Sequence, residues 1–347
     1  MEPSEMELKL VGIDTSKHVF TLHGVDASRA AVLRRDLRRG PFEAFMGKLA
    51  PTEVALEACG GSHHWARRLA AMGHRVRLIP PQYVKPFVKR SKTDRADAEA
   101  ICEAAGRPSM CFVPIKTAER QGELMVLRTR ELLVRQRTQA VNALRGHATE
   151  FGLVVPLGVS RVEELLAKLA TDPGVPEVAR EMLALLGRQI EQIDTQMAEI
   201  DARLLAMHKA NEVSRRLAKV PGIGPITAVS LALTVEAAQF ESGRHLAAWL
   251  GLTPRAHSSG GKQRLGGISR AGHERLRQLL VVGAMAVIRH ASKPGARLAS
   301  PWLTQLLARK PRKLAAVALA NKTARIVWAM MARGEAYRAK PLVSAAA

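Results

Sequence analysis

Four acidic residues stand where they could share metal ions. Asp14 ends the apolar run LVGI and Glu57 ends VAL, so each follows a predicted buried strand. Asp94 and Asp97 lie on one face of a predicted helix, with about 5–6 Å between their Cβ atoms. Four carboxylates need cations, and such oxygen ligands select Mg²⁺ or Mn²⁺. Two ions about 3.5–4 Å apart would clamp the attacking and leaving oxygens of a phosphodiester.

Ordinary structural roles explain each of these acids taken alone. Thr93 followed by two acids is typical of a helix N-terminus, where a cap and the helix dipole favour such residues. Acids at the ends of strands are also common. The metal-binding hypothesis depends on the four acids acting together in a strongly basic chain.

The charge of the chain favours a polyanionic partner. Its 53 Lys and Arg against 31 Asp and Glu give a formal charge of +22 in 347 residues. Nucleic acid is therefore the first expectation. Aromatic residues make up only 4% of the chain, which favours recognition of duplex or backbone over stacking on single strands. The basic residues around the two aspartates, expected to draw in phosphates, are Lys89, Arg90, Lys92 and Arg95.

Other protein classes fit the sequence poorly. Cys59, Cys102 and Cys111 are scattered without a CxxC pair, which argues against a disulfide framework and a structural zinc site. No apolar run approaches the roughly 18 residues of a membrane-spanning helix, and the N-terminus MEPSEMELKL is acidic rather than signal-like. We expect a soluble intracellular protein with no membrane partner.

The order of predicted elements in residues 1–116 indicates a ribonuclease-H-like α/β domain. Residues 7–35 alternate apolar and polar side chains as three strands of an antiparallel meander. Helices then alternate with the candidate strands TEVALEA and RVRLI, and further helices are predicted around YVKPFVKR and from Thr93 onward. The first and fourth strands are neighbours in this fold. The acids that end them would lie side by side at one edge of the sheet.

Two long helices are predicted in residues 117–217, at about 117–150 and 177–217. The first is basic, and the second repeats apolar residues with the 4,3 spacing of a coiled coil for about four heptads. Such helices can fold back on each other or join those of another subunit in a homodimer or tetramer. The repeating residues are Ala179, Leu183, Leu186, Ile190, Ile193, Met197, Ile200, Leu204 and Met207.

The mainly helical segment 218–347 carries two glycine-rich motifs. VPGIGP resembles a helix-hairpin-helix turn, in which the backbone at Gly222 and Gly224 could hold a DNA phosphate; a plain interhelical turn explains the glycines equally well. In HSSGGK, Ser258 or Ser259 could attack phosphorus beside arginines, although most Ser-Gly loops are only turns. The flanking basic residues predicted to contact nucleic acid are Arg255, Lys262, Arg264 and Arg270.

Together these motifs resemble the insertion-sequence transposases of the DEDD type, relatives of the Piv-type DNA invertases. GIDTSK, LEACGG, KTDRADAEAI, VPGIGPITA and HSSGGKQRLGGISRAGHERLRQLL match the family pattern in order, over nearly the whole chain. The resemblance implies a RuvC-like N-terminal domain whose divalent-metal ligands are Asp14, Glu57, Asp94 and Asp97.

The resemblance also implies a nucleophile and partners. Ser259, or Ser258 if the register slips by one, would form a transient phosphoserine link to DNA, completed by the acids of another subunit. The implied partners are double-stranded donor and target DNA and a structured non-coding guide RNA, in a nucleoid-associated setting in the bacterial cytoplasm. A RuvC-like nuclease that cuts junctions with metal-activated water is the alternative enzyme, and a basic nucleic-acid-binding protein with structural acids is the non-enzymatic one.

Overall fold

The computed structural model describes residues 7–89, 93–292 and 300–338. The chain divides into two compact units, and the division falls after Gly122. The long helices cluster with the C-terminal segment in the second unit. The three-part division at 116 and 218 stays a prediction.

A five-stranded sheet in the order β3-β2-β1-β4-β5 forms the centre of the first unit. The first three strands form the predicted antiparallel meander, and β4 and β5 run parallel to β1. The predicted neighbourhood of the first and fourth strands is therefore confirmed. The strands are β1 Leu10–Thr15, β2 Val19–Val25, β3 Ala31–Arg38, β4 Glu53–Glu57 and β5 Arg75–Ile79.

Helices cover both faces of this sheet because successive residues of a strand point to opposite faces. Val11 and Ile13 of β1 belong to the apolar cluster that includes α1 and α2. Leu10 belongs to the cluster on the other face, with α4. The helices are α1 Arg39–Lys48, α2 Ser62–Ala71, α3 Pro81–Val84 and α4 Asp94–Ala105.

The helix predicted around YVKPFVKR is much shorter than expected. Only the single turn of α3 forms there, followed by a 3-10 turn at Lys85–Phe87. Pro86 lacks a backbone N–H and so cannot support a longer α-helix. Residues 90–92 lie outside the described part of the chain.

In the second unit, α5 (Ala118–Thr149) and α7 (Glu177–Ala210) pack antiparallel. Ion pairs join Arg130 to Asp201 and Arg137 to Asp194. Members of the apolar repeat on α7 pack against α5 of the same chain, for example Ile193 and Met197 on Leu133. Of the two arrangements that the sequence allowed for these helices, the structure shows the fold-back.

The predicted 177–217 helix is broken at Asn211. Its side chain accepts a hydrogen bond from the Ser214 N–H at 2.8 Å and caps a new helix. The single short helix predicted between the long helices is α6, Val162–Thr171. The new helix is α8, Glu212–Leu217.

The rest of the second unit is a helical bundle with one β-hairpin. Among the described helices, α13 alone is long and apolar enough in composition to cross a membrane; one face of it, with Ala320, Ala324 and Val327, is buried in the core of this unit. The hairpin was not predicted. The remaining elements are α9 Pro225–Thr234, α10 Gly243–Trp249, β6 Pro254–Ala256, β7 Leu265–Ile268, α11 Glu274–Ala291, α12 Pro301–Arg309 and α13 Arg312–Arg333.

Candidate active site

Asp14 and Glu57 lie at one edge of the sheet in the first unit. Ile13 pairs with Leu56 across the parallel strands β1 and β4, so the residues that follow are the next neighbours. Asp14 lies one residue before the end of β1, and Glu57 is the last residue of β4. Both side chains are half-buried. The sheet therefore juxtaposes these two acids, as the sequence predicted.

The helix α4 brings Asp94 and Asp97 to the same place. A Cβ atom at Gly12 would lie 2.5 Å from the Ala98 carbonyl oxygen and 2.5 Å from the Cys102 nitrogen, so β1 and α4 touch through their backbones. Thr93 caps α4 by accepting a hydrogen bond from the Ala96 N–H at 3.2 Å. The cap fixes where the helix begins and so places both aspartates in its first turn.

The electrostatics of Asp14 reflect this convergence. The pKa of Asp14 is raised to about 6, chiefly by burial and then by the charges of Asp94, Asp97 and Glu57, in that order of importance. Desolvation and like charges both disfavour an ionised carboxylate. The charges of the other three acids therefore act on Asp14, which the structural interpretation of each acid alone does not require.

The donor set fits a hard divalent cation, although the acids do not form a closed ligand shell. Across residues 7–89, 93–292 and 300–338, no three His, Cys, Asp or Glu side chains are grouped tightly enough to hold a metal ion. Repulsion between carboxylates favours such an open arrangement. Carboxylate oxygens suit Mg²⁺ or Mn²⁺, and a cation would relieve the repulsion that Asp14 experiences.

The basic residues predicted around these acids have partners within the unit. Arg95 pairs with Asp36 of β3 at 2.8 Å, and Lys89 pairs with Glu99 at 2.6 Å. The other two predicted residues, Arg90 and Lys92, lie outside the described residues. Sequence reasoning missed Asp36, which ties the start of α4 to the sheet through Arg95.

The second predicted centre, HSSGGK, is the tip of the β6–β7 hairpin rather than an irregular loop. Gly260 and Gly261 both have positive φ, at 56° and 75°, and the Lys262 N–H donates to the Ser259 carbonyl at 3.1 Å. This is a type I′ turn, which suits a two-residue hairpin.

The two serines of the hairpin differ in their contacts. The Ser258 hydroxyl accepts a hydrogen bond from the Arg264 N–H at 3.2 Å and so joins the two sides of the hairpin. Ser259 contributes its backbone to the turn, while its side chain is exposed. The chemistry of an attacking hydroxyl therefore suits Ser259 better than Ser258.

The base of the hairpin is tightly fixed, and sequence reasoning missed the residues that fix it. A Cβ atom at Gly272 would collide with the Trp249 carbonyl oxygen. Arg277 of α11 is buried and donates to the carbonyls of Leu250 at 3.0 Å and Ala271 at 2.8 Å. Arg277 stands three residues before Leu280 and seven before Ala284, on the apolar face of a helix, and that position could have signalled its burial.

The predicted basic residues of this region surround the hairpin. Arg255 donates to the Ser269 carbonyl at 3.2 Å and thereby links the two sides of the hairpin near its base. Arg270 has a positive φ of 56°, which is uncommon outside glycine. Together with Lys262 and Arg264, both are exposed.

The VPGIGP turn packs against α11. Gly222 has a φ of 87°, and a Cβ there would lie 2.9 Å from the Gly283 carbonyl oxygen. A close interhelical contact therefore accounts for Gly222. Gly224 precedes α9 as its N-cap residue, and a Cβ there would meet open space. A phosphate contact at either glycine stays a prediction.

Converging carboxylates at the edge of a mixed sheet define the class of enzymes that act on phosphodiesters with the help of divalent ions. Comparison with known proteins agrees with this class. A model described as a DEDD transposase of the IS110 type matches residues 11–152, and one described as the transposase IS116/IS110/IS902 family matches residues 214–299.

Whole-chain relatives carry the same description. A putative transposase of Sinorhizobium fredii is 52% identical over 97% of this chain and 87% of its own length. The transposase for insertion sequence element IS1111A of Coxiella burnetii is 40% identical over 96% of this chain and 93% of its own length. A pilin gene-inverting protein of Moraxella bovis is 25% identical over 65% of this chain and 62% of its own length.

This chain belongs to the IS110 family of transposases. It is thus an enzyme that cuts and rejoins DNA, and its DEDD domain implies dependence on a divalent metal. The expected resemblance to DNA invertases is confirmed by the similarity to the pilin gene-inverting protein.

Proposed function

We propose that this transposase moves an insertion sequence with two separate groups of active-site residues, a set of metal-binding acids and a serine nucleophile. Asp14, Glu57, Asp94 and Asp97 hold Mg²⁺ or Mn²⁺ on a RuvC-like sheet, and Ser259 attacks the DNA phosphodiester. The observation that carries the proposal is the raised pKa of Asp14, because its causes name the other three acids.

The four carboxylates are held in place in two different ways. Asp14 and Glu57 are held by strand pairing and stay in register with each other. Asp94 and Asp97 move only with α4, which the contact at Gly12 locks to β1. Bound divalent ions would neutralise the developing charge on the phosphodiester oxygens. The strands and the helix thus bring the four carboxylates to one end of the sheet.

The hairpin suits a nucleophile because it presents Ser259 away from competing hydrogen bonds. The hydroxyl oxygen loses its proton and forms a bond to phosphorus, and the deoxyribose oxygen leaves with the electron pair of the broken bond and takes up a proton. The exposed guanidinium groups of Arg255, Arg264 and Arg270 and the ammonium of Lys262 are available to stabilise charge on the phosphate.

The proposal includes a structured guide RNA and a homo-oligomer, dimer or tetramer, acting in the bacterial cytoplasm. The basic helix α5 offers arginines for an RNA backbone, which needs cations rather than aromatic platforms. Because α5 already covers the apolar repeat of α7, we place the contact between subunits at the far end of these helices. Exposed apolar side chains there include Val154, Leu157, Val178, Met182 and Leu185.

A denaturing gel tests the serine. Labelled donor and target DNA are incubated with protein, Mg²⁺ and RNA transcribed from the flank of the element, using wild type, Ser259→Ala and the matched control Ser258→Ala. We expect a protein-linked DNA band in the wild type and in Ser258→Ala, and none in Ser259→Ala.

Two other outcomes would redirect the mechanism. Cleavage without a linked band, equal in all three proteins, would establish the alternative of a RuvC-like nuclease that uses metal-activated water. A band lost only in Ser258→Ala would move the nucleophile by one position. Loss of nucleic-acid binding in Ser259→Ala would mean that the hairpin fold itself had failed.

A further inference from the structure

A basic depression lies at the same end of the sheet as Asp14 and Glu57. We call it the basic cradle; its volume is about 530 Å³. Its lining residues include four that are basic and none that is acidic, within the described part of the chain. They are Lys17, His18, Val19, Arg38, Arg39 and Gly40.

The position of the basic cradle follows from strand pairing. Lys17 lies in the β1–β2 turn, three residues after Asp14, and Val19 pairs with Arg38 of β3. Neighbouring strands are about 4.8 Å apart, so Arg38 lies two strands, or roughly 10 Å, from β1. The turn is rigid because the Ser16 hydroxyl donates to the Val19 carbonyl at 2.6 Å and accepts from the Val19 N–H at 3.0 Å.

Two arginines of the basic cradle lie at the N-terminus of α1, where positive charge is unfavourable. Arg38 is the N-cap residue of α1 and Arg39 is its first residue, and the first turn contains no acid. The N-terminus of a helix carries partial positive charge, so cations there are unfavourable unless an anion accompanies them. The Arg39 guanidinium lies 5.3 Å from the centre of the Trp65 ring, which holds it in place.

The cations of the basic cradle are more available than those predicted from the sequence. Arg95 and Lys89 are already paired with Asp36 and Glu99. Within the described residues, Lys17 and Arg38 are exposed and form no ion pair. Unpaired cations in a concave surface are free to bind a phosphate backbone.

We propose that the basic cradle binds the backbone of the DNA strand being cut, within about three nucleotides of the scissile phosphate. The limit follows from roughly 10 Å between the acids and Arg38: each nucleotide advances about 3.4 Å along the duplex axis, so this distance spans at most about three nucleotides. Lys17 and Arg38 are positioning residues, since they orient the strand without touching the reacting phosphate. This inference rests on the proposed function, which places cleavage at the four acids.

The test removes the charges of the proposed contact from the protein and, separately, from the DNA. The protein variant is Lys17→Ala/Arg38→Ala, and the DNA substrates carry one uncharged methylphosphonate at successive positions from the cleavage site. Lys48→Ala is the matched control, because Lys48 is an exposed cation at the other end of α1. Cleavage rate, DNA affinity over a range of salt concentrations, guide-RNA affinity and melting temperature are measured for each protein.

We expect the wild type and Lys48→Ala to lose roughly tenfold in rate when the methylphosphonate lies at one position within about three nucleotides of the cut, since a charged hydrogen bond is lost. The double variant should cleave every substrate slowly, and its rate should not depend on where the methylphosphonate lies. Its salt slope for DNA should fall by about 2, one for each lost contact. Its melting temperature should not fall, because an unfavourable charge leaves the N-terminus of α1.

Three results would overturn the inference. The double variant could keep the wild-type dependence on methylphosphonate position, or Lys48→Ala could show the same loss as the double variant. The third is a loss confined to RNA affinity, which would make the basic cradle an RNA site. Asp14→Asn, tested in parallel, separates the two proposals: cleavage by that variant refutes the proposed function, while the affinity profile still tests the basic cradle.

Discussion

The acid site and the serine hairpin achieve precision by opposite means. The acids lie on strands and a helix that pack through a buried core, and their positions follow from the pairing of β1 with β4. The hairpin is largely exposed, and its base is fixed by Arg277 and by close backbone contacts of Gly272 with Trp249 and of Gly251 with Ala271. A metal site needs several ligands held together, whereas a nucleophile needs one group that can reach its target. The rigidity of each region matches that need.

The largest expected effect comes from breaking the contact that holds the acids. Gly12→Ala would place a Cβ atom 2.5 Å from two backbone atoms of α4, which must then move away. We expect a loss of about 3 kcal/mol in the free energy of unfolding, as for a strongly overpacked core. Chemical denaturation measures this loss, and cleavage assays should show activity abolished.

Gly47→Ala is the control for that change, because a Cβ atom at Gly47 of α1 meets open space. It should raise stability by about 1 kcal/mol, as alanine favours helix over glycine. Similar behaviour of the two variants would show that α4 does not depend on close contact with β1.

An intermediate effect tests the repulsion within the acid site. Because the pKa of Asp14 is raised to about 6 in the folded chain, folding is weakened as pH rises from about 4 to 6, and the penalty is complete above 6. Asp14→Asn should therefore stabilise the protein by about 1–2 kcal/mol at pH 7, after allowance for partial exposure, and by nothing below pH 4. Melting curves across this pH range give the comparison.

Two further measurements test the same repulsion, one with added Mg²⁺ and one with a variant of a second carboxylate. Added Mg²⁺ should raise the melting temperature of the wild type more than that of Asp14→Asn, since the variant has lost a ligand. Arg95 lowers the pKa of Asp36, so Asp36→Asn should change stability in the opposite direction at neutral pH. Equal shifts in both variants would contradict the proposed crowding of charge at Asp14.

The smallest effect distinguishes the two serines of the hairpin. Ser258→Ala removes the acceptor of the Arg264 N–H, which should lower the protection of that amide against hydrogen exchange by about 1 kcal/mol. Ser259→Ala should leave the protection unchanged, because the Ser259 side chain is exposed and only its carbonyl joins the turn. Equal loss in both variants would show that the hairpin has no preferred register.

The acid site was largely predictable because its chemistry follows strand order. Alternation in residues 7–35 and the two later apolar strands indicated a ribonuclease-H-like sheet, and the strand order of that fold placed Asp14 beside Glu57. The packing of α4 on β1 was not predictable in detail, since a glycine in a strand marks a close approach without naming what approaches. Asp36 was missed because its partner Arg95 is distant in sequence.

The second unit was less predictable because its decisive contacts are short and irregular. The strands β6 and β7 span only three and four residues, too few for periodicity to show. The break at Asn211 depends on a single side-chain cap within an otherwise helical pattern. The pattern on α7 identified the buried face correctly and left its partner open, because apolar spacing does not encode which helix will cover it.

The contact at Gly12 also bears on how copies of such an element lose activity over generations. Every other amino acid has a Cβ atom, so any replacement there displaces α4 from β1. Since α4 carries two of the four acids, one such change removes half of the carboxylate cluster at once. A copy that acquires it would fall silent in a single step, with the coding frame and the serine hairpin still intact.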